Sequence, residues 1–120
     1  MTSKVVNFHL PADDVERAAT FYREVFGWEF VAFADSPVPY LVADGAGDQG
    51  PGIPAAIMQR QDIVKAPTPT IEVGQIDQAM MDIAMKGGQQ GHVRDIPGLG
   101  RFGYAIDSEG NIIALLQRVA

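Results

Sequence analysis

His9 is the side chain with the widest chemical reach in this 120-residue chain. An imidazole can donate and accept a hydrogen bond at once, act as a general base, or bind a metal. Its ordinary pKa of about 6.5 would let its charge respond near neutral pH. Asn7 stands two residues earlier, so in a strand both side chains share one face. Thr68, Thr70 and Glu72 share a face by the same alternation. Glu72 is the nearest carboxylate, expected either to pair with His9 or to face solvent at a rim. Tyr40, Phe102 and Tyr104 also lie in strand-like stretches, where alternation permits either face, and Phe102 or Tyr104 could flank a bound ring. The other histidine, His92, sits in a Gly/Gln-rich segment and is expected to face solvent near a sheet edge. The chain has no cysteine, which removes disulfides, thiolate nucleophiles and cysteine–zinc sites. Its serines and threonines show no His/Asp relay. Gly98, Gly100 and Gly103 do not follow a strand and open a helix, so they form no phosphate cradle.

The elements that must carry these residues follow from periodicity. Residues 5–10 read as a strand. Asp13 and Glu16 have capping-box spacing, and Val15, Ala18, Ala19, Tyr22, Val25 and Phe26 recur at helical intervals, giving one apolar face. On that stripe Phe21 and Tyr22 are expected in the core. Gly27 suits a left-handed helix end. Strands are expected over 28–33, with Trp28 as a packing anchor, over 39–43, and, after a Gly/Asp/Pro-rich loop at 44–54, over 55–60. The order then recurs: a strand over 68–73, then a helix marked by Ile76, Ala79, Met80, Ile83 and Ala84 and ended by Gly87 and Gly88. Strands over 89–94, 101–106 and 112–118 follow, the last two joined by the turn Asp107-Ser108-Glu109-Gly110. The five methionines, mostly helical or terminal, read as packing.

The recurrence is detailed. Val15 matches Ile76, Ala18 matches Ala79, Tyr22 matches Ile83 and Gly27 matches Gly88, all at an offset of 61 residues. Ala56-Ile57-Met58-Gln59-Arg60 matches Ala114-Leu115-Leu116-Gln117-Arg118 at an offset of 58. The expectation is a single α+β domain over 1–120 made of two tandem βαβββ modules, about 1–61 and 62–120. The modules should form one curved mixed sheet with the helices on its convex face. The concave face is left for a ligand or another subunit.

Composition narrows the partners. A formal net charge of −6 and scattered basic residues argue against nucleic acid, whose binding depends on neutralising phosphates. No apolar run approaches the ~20 residues of a membrane helix, and the first residues lack signal-peptide character. A cytoplasmic protein is expected.

At this level the chain resembles the vicinal oxygen chelate superfamily, which includes glyoxalase I, bleomycin-resistance proteins and extradiol dioxygenases. The resemblance rests on residues 11–18 (PADDVERA), Phe21-Tyr22, Val25-Phe26-Gly27-Trp28-Glu29-Phe30, Ile96-Pro97-Gly98-Leu99-Gly100 and Asp107-Ser108-Glu109-Gly110-Asn111. It covers essentially the whole chain in order. The stretches GWEF and PGLGRF are most similar to a small bacterial group described as glyoxalase-related, whose members often pair as homodimers.

In metal-dependent members each module gives one ligand from its first strand and one from its last. The resemblance places those positions on Asn7 and Ala56 in the first module and on Thr68 and Ala114 in the second. None is an imidazole, thiolate or carboxylate, the donors that offset the dehydration of a transition metal. The resemblance therefore implies a metal-free and cofactor-free pocket, widened by its alanines, that binds a small organic molecule. Asn7, His9, Ala56, Thr68, Thr70, Tyr104 and Ala114 are the expected ligand contacts, with a homodimer as the assembly. Two further readings are a lyase, isomerase or dioxygenase using His9 and Glu72 as catalytic groups, and a protein-interaction module.

Overall fold

The computed structural model describes residues 2–33, 40–45, 47, 48 and 50–119. It divides into two compact units: Asn7–Pro67, and Thr68–Ala120 together with Met1–Val6. Each holds one module of the repeat.

The first module comprises β1 (Lys4–Ala12), α1 (Val15–Phe26), β2 (Val31–Ala32), β3 (Tyr40–Ala43) and β4 (Ala55–Gln59). Its strand order is β2-β3-β4-β1, with β1 parallel to β4 and the other pairs antiparallel. Leu10 and Ala12 of β1, Leu41 of β3 and Ile57 of β4 pack against Val15, Ala18, Ala19 and Tyr22 of the helix. Strand alternation turns Asn7, His9, Tyr40, Val42, Ala56 and Met58 to the opposite, helix-free face.

Asp14, not Asp13, caps α1. Its side chain accepts a hydrogen bond from the Arg17 amide at 3.0 Å. The cause lies upstream: β1 runs through Pro11 and Ala12, and the Asp13 carboxylate is held by Arg60 at 2.9 Å. At the other end Gly27 takes φ 75° and donates to the Arg23 carbonyl, the left-handed cap its lack of a side chain permits. The strand expected over 28–33 shrinks to Val31–Ala32, because Trp28 leaves the sheet to stack on Tyr22, 5.0 Å away and 7° from parallel. Phe21, Val25 and Phe26 are not core. They are 54%, 57% and 59% exposed, since the short sheet covers only the N-terminal part of the helix. Pro39, included in the third expected strand, lies outside the described residues.

The second module comprises β5 (Thr68–Glu72), α2 (Ile76–Met85), β6 (Val93–Ile96), β7 (Gly100–Ile106) and β8 (Ile112–Arg118). Its order is β5-β8-β7-β6, with β5 parallel to β8 and the other pairs antiparallel. Ile71, Ala105, Ile113 and Leu115 pack against Ile76, Ala79, Met80 and Ile83 of α2. A second cluster, Phe102, Ala114 and Leu116 with Ile96, Leu99 and Tyr104, forms on the helix-free face. The strand expected over 89–94 begins later, at Val93. Before it, Gln89 makes only an isolated bridge to Ile106, and Gly91 passes so close to the Tyr104 carbonyl that no side chain would fit. Met80 packs as expected, whereas Met81 and Met85 are exposed. Both modules are thus β-α-β-β-β with one parallel pair, and the chain is α+β.

Candidate functional site

The sheet register places the repeat-related residues at equivalent points. In the first module His9 pairs across the parallel ladder with Ala56; in the second, Thr70 pairs with Ala114. His9, Ala56, Thr68, Thr70 and Ala114 are all buried. The sequence offsets of 61 and 58 therefore correspond to one structural position in each module.

In the first module the Tyr40 hydroxyl and His9 Nε2 share a hydrogen bond of 3.0 Å. Their rings meet edge-on at 5.7 Å, and Phe33 also meets Tyr40 edge-on, at 6.0 Å. Burial lowers the His9 pKa to about 4, because the low-dielectric surroundings disfavour imidazolium. His9 is consequently neutral at physiological pH, and its charge does not respond near neutrality. Asn7 Oδ1 is buried on this face and has no hydrogen-bond partner.

In the second module Thr70 Oγ1 is likewise buried without a partner. Tyr104, opposite Ala114, meets Phe102 edge-on at 5.1 Å. Burial pushes the Tyr104 pKa up to about 12, an effect partly offset by nearby Arg94. Phe102 and Tyr104 thus both line the helix-free face of this module. Glu72 accepts a hydrogen bond and salt bridge from Arg118 Nε, while His9 bonds with Tyr40. His92 is exposed.

Sequence reading left the face of Tyr40 open and gave Arg118 no role. The signal for Tyr40 lies in the register: it pairs with Met58, two residues beyond Ala56, and so shares the face of His9. The Glu72–Arg118 pair has no comparable sequence signal.

The residues at the positions where the resemblance expects metal ligands lack the donors of a transition-metal site. The first module offers Asn7 and Ala56 there and the second Thr68 and Ala114, so half the positions carry no donor atom and the rest only neutral ones. Among the described residues no three His, Asp or Glu side chains gather as a metal site. Nor, among them, is any helix long and apolar enough to cross a membrane.

Fold and register define a chain built from paired βαβββ modules, the architecture of the vicinal oxygen chelate superfamily. Comparison with known proteins agrees. Residues 4–37 match the family model for the bleomycin resistance protein-like N-terminal region. A glyoxylase-like domain-containing protein of Didymella fabae is 30% identical over 122 residues, spanning 96% of this chain and 94% of that protein. The chain belongs to this glyoxalase/bleomycin-resistance-like family.

Solved structures share the fold at lower identity. A Streptomyces coelicolor methylmalonyl-CoA epimerase variant, in complex with 2-nitronate-propionyl-CoA, superposes with a TM-score of 0.68 at 17% identity, covering 98% of each chain. A glyoxalase I mutant from Zea mays gives a TM-score of 0.71 at 15% identity, over 98% of this chain and 45% of that one.

Proposed function

We propose that the chain is a cytoplasmic, metal-free binding protein for a small organic molecule, acting as a homodimer. One observation carries this reading: two buried side-chain oxygens, Asn7 Oδ1 and Thr70 Oγ1, lack hydrogen-bond partners on the helix-free faces of their modules. A buried polar atom left unpaired costs roughly 1–3 kcal/mol, so folded proteins rarely keep one without a role. A ligand that reached either atom would recover that cost. The side chains of each face suit an organic molecule: Tyr40 supplies ring surface in the first module, and Phe102 and Tyr104 supply it in the second.

The state of His9 favours binding over proton abstraction. An imidazole whose pKa is lowered to about 4 is a weak base, and Glu72 is engaged by Arg118. Within this reading, Asn7, His9 and Ala56 are the ligand contacts of the first module's face, where His9 and Tyr40 orient the ligand, and Thr68, Thr70, Tyr104 and Ala114 are those of the second module's face. The likeness to an epimerase held with a CoA ester analogue supports use of the fold for organic ligands, and no more.

The test is native mass spectrometry of freshly purified protein, followed by calorimetry with any retained or screened compound. A small-molecule adduct whose affinity falls on His9→Ala supports the proposal. A protein that carries one metal ion per chain and no organic adduct would overturn it.

A further inference from the structure

The chemistry of Asn7 narrows the class of ligand, and the narrowing rests on the binding reading above. On the first module's helix-free face stand Asn7, His9, Tyr40, Val42, Ala56 and Met58, assigned there because their strand neighbours Leu10, Leu41 and Ile57 pack against α1. None of the six is Lys, Arg, Asp or Glu. The module's Arg60 is occupied elsewhere, by Asp13 at 2.9 Å and by the Lys65 carbonyl. Among the described residues of this face, a ligand carboxylate or phosphate would therefore lose its hydration without meeting a cation, and an ammonium group would meet no carboxylate. Burying an unpaired charge is the costliest of these outcomes.

Hydrogen bonding supplies the positive half of the argument. Tyr40 and His9 bond to each other. Asn7 Oδ1, an amide oxygen with two lone pairs, is buried and accepts from nothing. What it lacks is a donor.

We propose that the ligand of this face is an uncharged molecule, with ring or alkyl surface against Tyr40 and Met58, that donates a hydroxyl or N–H to Asn7 Oδ1. Asn7 is then the residue that sets specificity, selecting a donor-bearing neutral compound over its ether and over charged isosteres.

Four probes that share a para-tolyl ring decide the matter by calorimetry: 4-methylphenol, 4-methylanisole, 4-methylbenzoate and 4-methylbenzylamine. The phenol is expected to bind about tenfold tighter than the ether, which cannot donate, and at least as much tighter than the two ions. Asn7→Leu should bring phenol and ether within about threefold of each other, with Asn7→Ala as a second variant should leucine not fit. Thermal melts confirm that each variant is folded. Benzoate or benzylamine binding as tightly as the phenol overturns the ligand class but leaves a small-molecule binder. A phenol-to-ether ratio unchanged in folded Asn7 variants overturns the assignment to Asn7. If none of the four binds and the purified protein retains no organic molecule, the binding reading itself falls.

Discussion

The Tyr40 hydroxyl sits 3.0 Å from His9 Nε2, joining residues 31 positions apart through the β1–β4–β3 register. The bond gives a buried imidazole a polar partner without giving it a countercharge. That distinction matters: a carboxylate partner would raise the histidine's pKa, whereas a neutral hydroxyl leaves burial to lower it.

Stability should therefore depend on pH through His9. The folded imidazole takes up its proton only near pH 4, the unfolded one near 6.5, so between those values the unfolded chain holds more protons. This contribution is fully present above about pH 6.5, is lost as pH falls toward 4, and changes little below that. Its size is on the order of 3 kcal/mol. Urea unfolding of wild type and His9→Gln across this range is the check. The wild type should lose more stability than the variant on acidification, and parallel curves would refute a buried neutral His9.

His9→Ala should weaken ligand binding by roughly 1–3 kcal/mol while leaving the fold intact. Tyr40→Phe keeps the ring and removes the hydroxyl, so it should cost about 1 kcal/mol in stability and a smaller share of affinity. The double variant should lose less than the sum of the singles, because the two groups share one bond. Additive losses in calorimetry and melting would place His9 and Tyr40 in separate roles.

Much of this architecture was legible in the sequence, for physical reasons. Helical spacing from Val15 to Tyr22, the Gly27 cap and the AxxQR repeat are local signals, and they delivered both modules in order. The Asn7/His9 and Thr68/Thr70 faces followed from strand alternation alone. What failed depended on partners distant in sequence. Asp13 looked like a helix cap until Arg60, 47 residues on, claimed its carboxylate. Trp28 read as strand until Tyr22 offered a stacking face. The neutrality of His9 was invisible because burial is a property of the folded chain.

Gly100 tests the turn before β7. Its φ is 142°, and a Cβ there would run into the Gln117 carbonyl of the neighbouring strand. Gly110 also has positive φ, at 86°, but faces open space. Gly110→Ala should cost about 1 kcal/mol, the conformational penalty alone, and Gly100→Ala at least twice that. Equal melting temperatures for the two variants would show that the backbone contact at Gly100 is not tight.

No stoichiometric transition metal should bind at Asn7, Ala56, Thr68 and Ala114. Alanine contributes no donor, and neutral Asn and Thr oxygens are poor ligands for zinc, nickel or iron. Elemental analysis after dialysis against each ion is the measurement. One tightly held ion per chain, released by Asn7→Ala, would show that the neutral donors suffice.

Assembly is the remaining expectation, and the structure moves its basis. The uncovered sheet face suggested a dimer from sequence, yet His9, Thr70, Ala56, Ala114 and Phe102 on the helix-free faces are buried. Among the exposed apolar side chains, a cluster of rings lies at the end of α1. Phe21, Val25 and Phe26 are each more than half exposed, and Phe21 and Phe26 lie 6.4 Å apart beside the Tyr22–Trp28 stack. Single exposed apolar residues are ordinary, but clustered ones mark surfaces that find partners, and a two-fold pair lets one such patch cover its own copy. Light scattering at micromolar concentration should give twice the 12.9 kDa chain mass. Phe21→Glu with Phe26→Glu should return it to the monomer by placing like charges opposite each other, while melts report an intact fold. A wild type that is already monomeric removes the homodimer, and a dimer that survives both glutamates moves its interface away from α1.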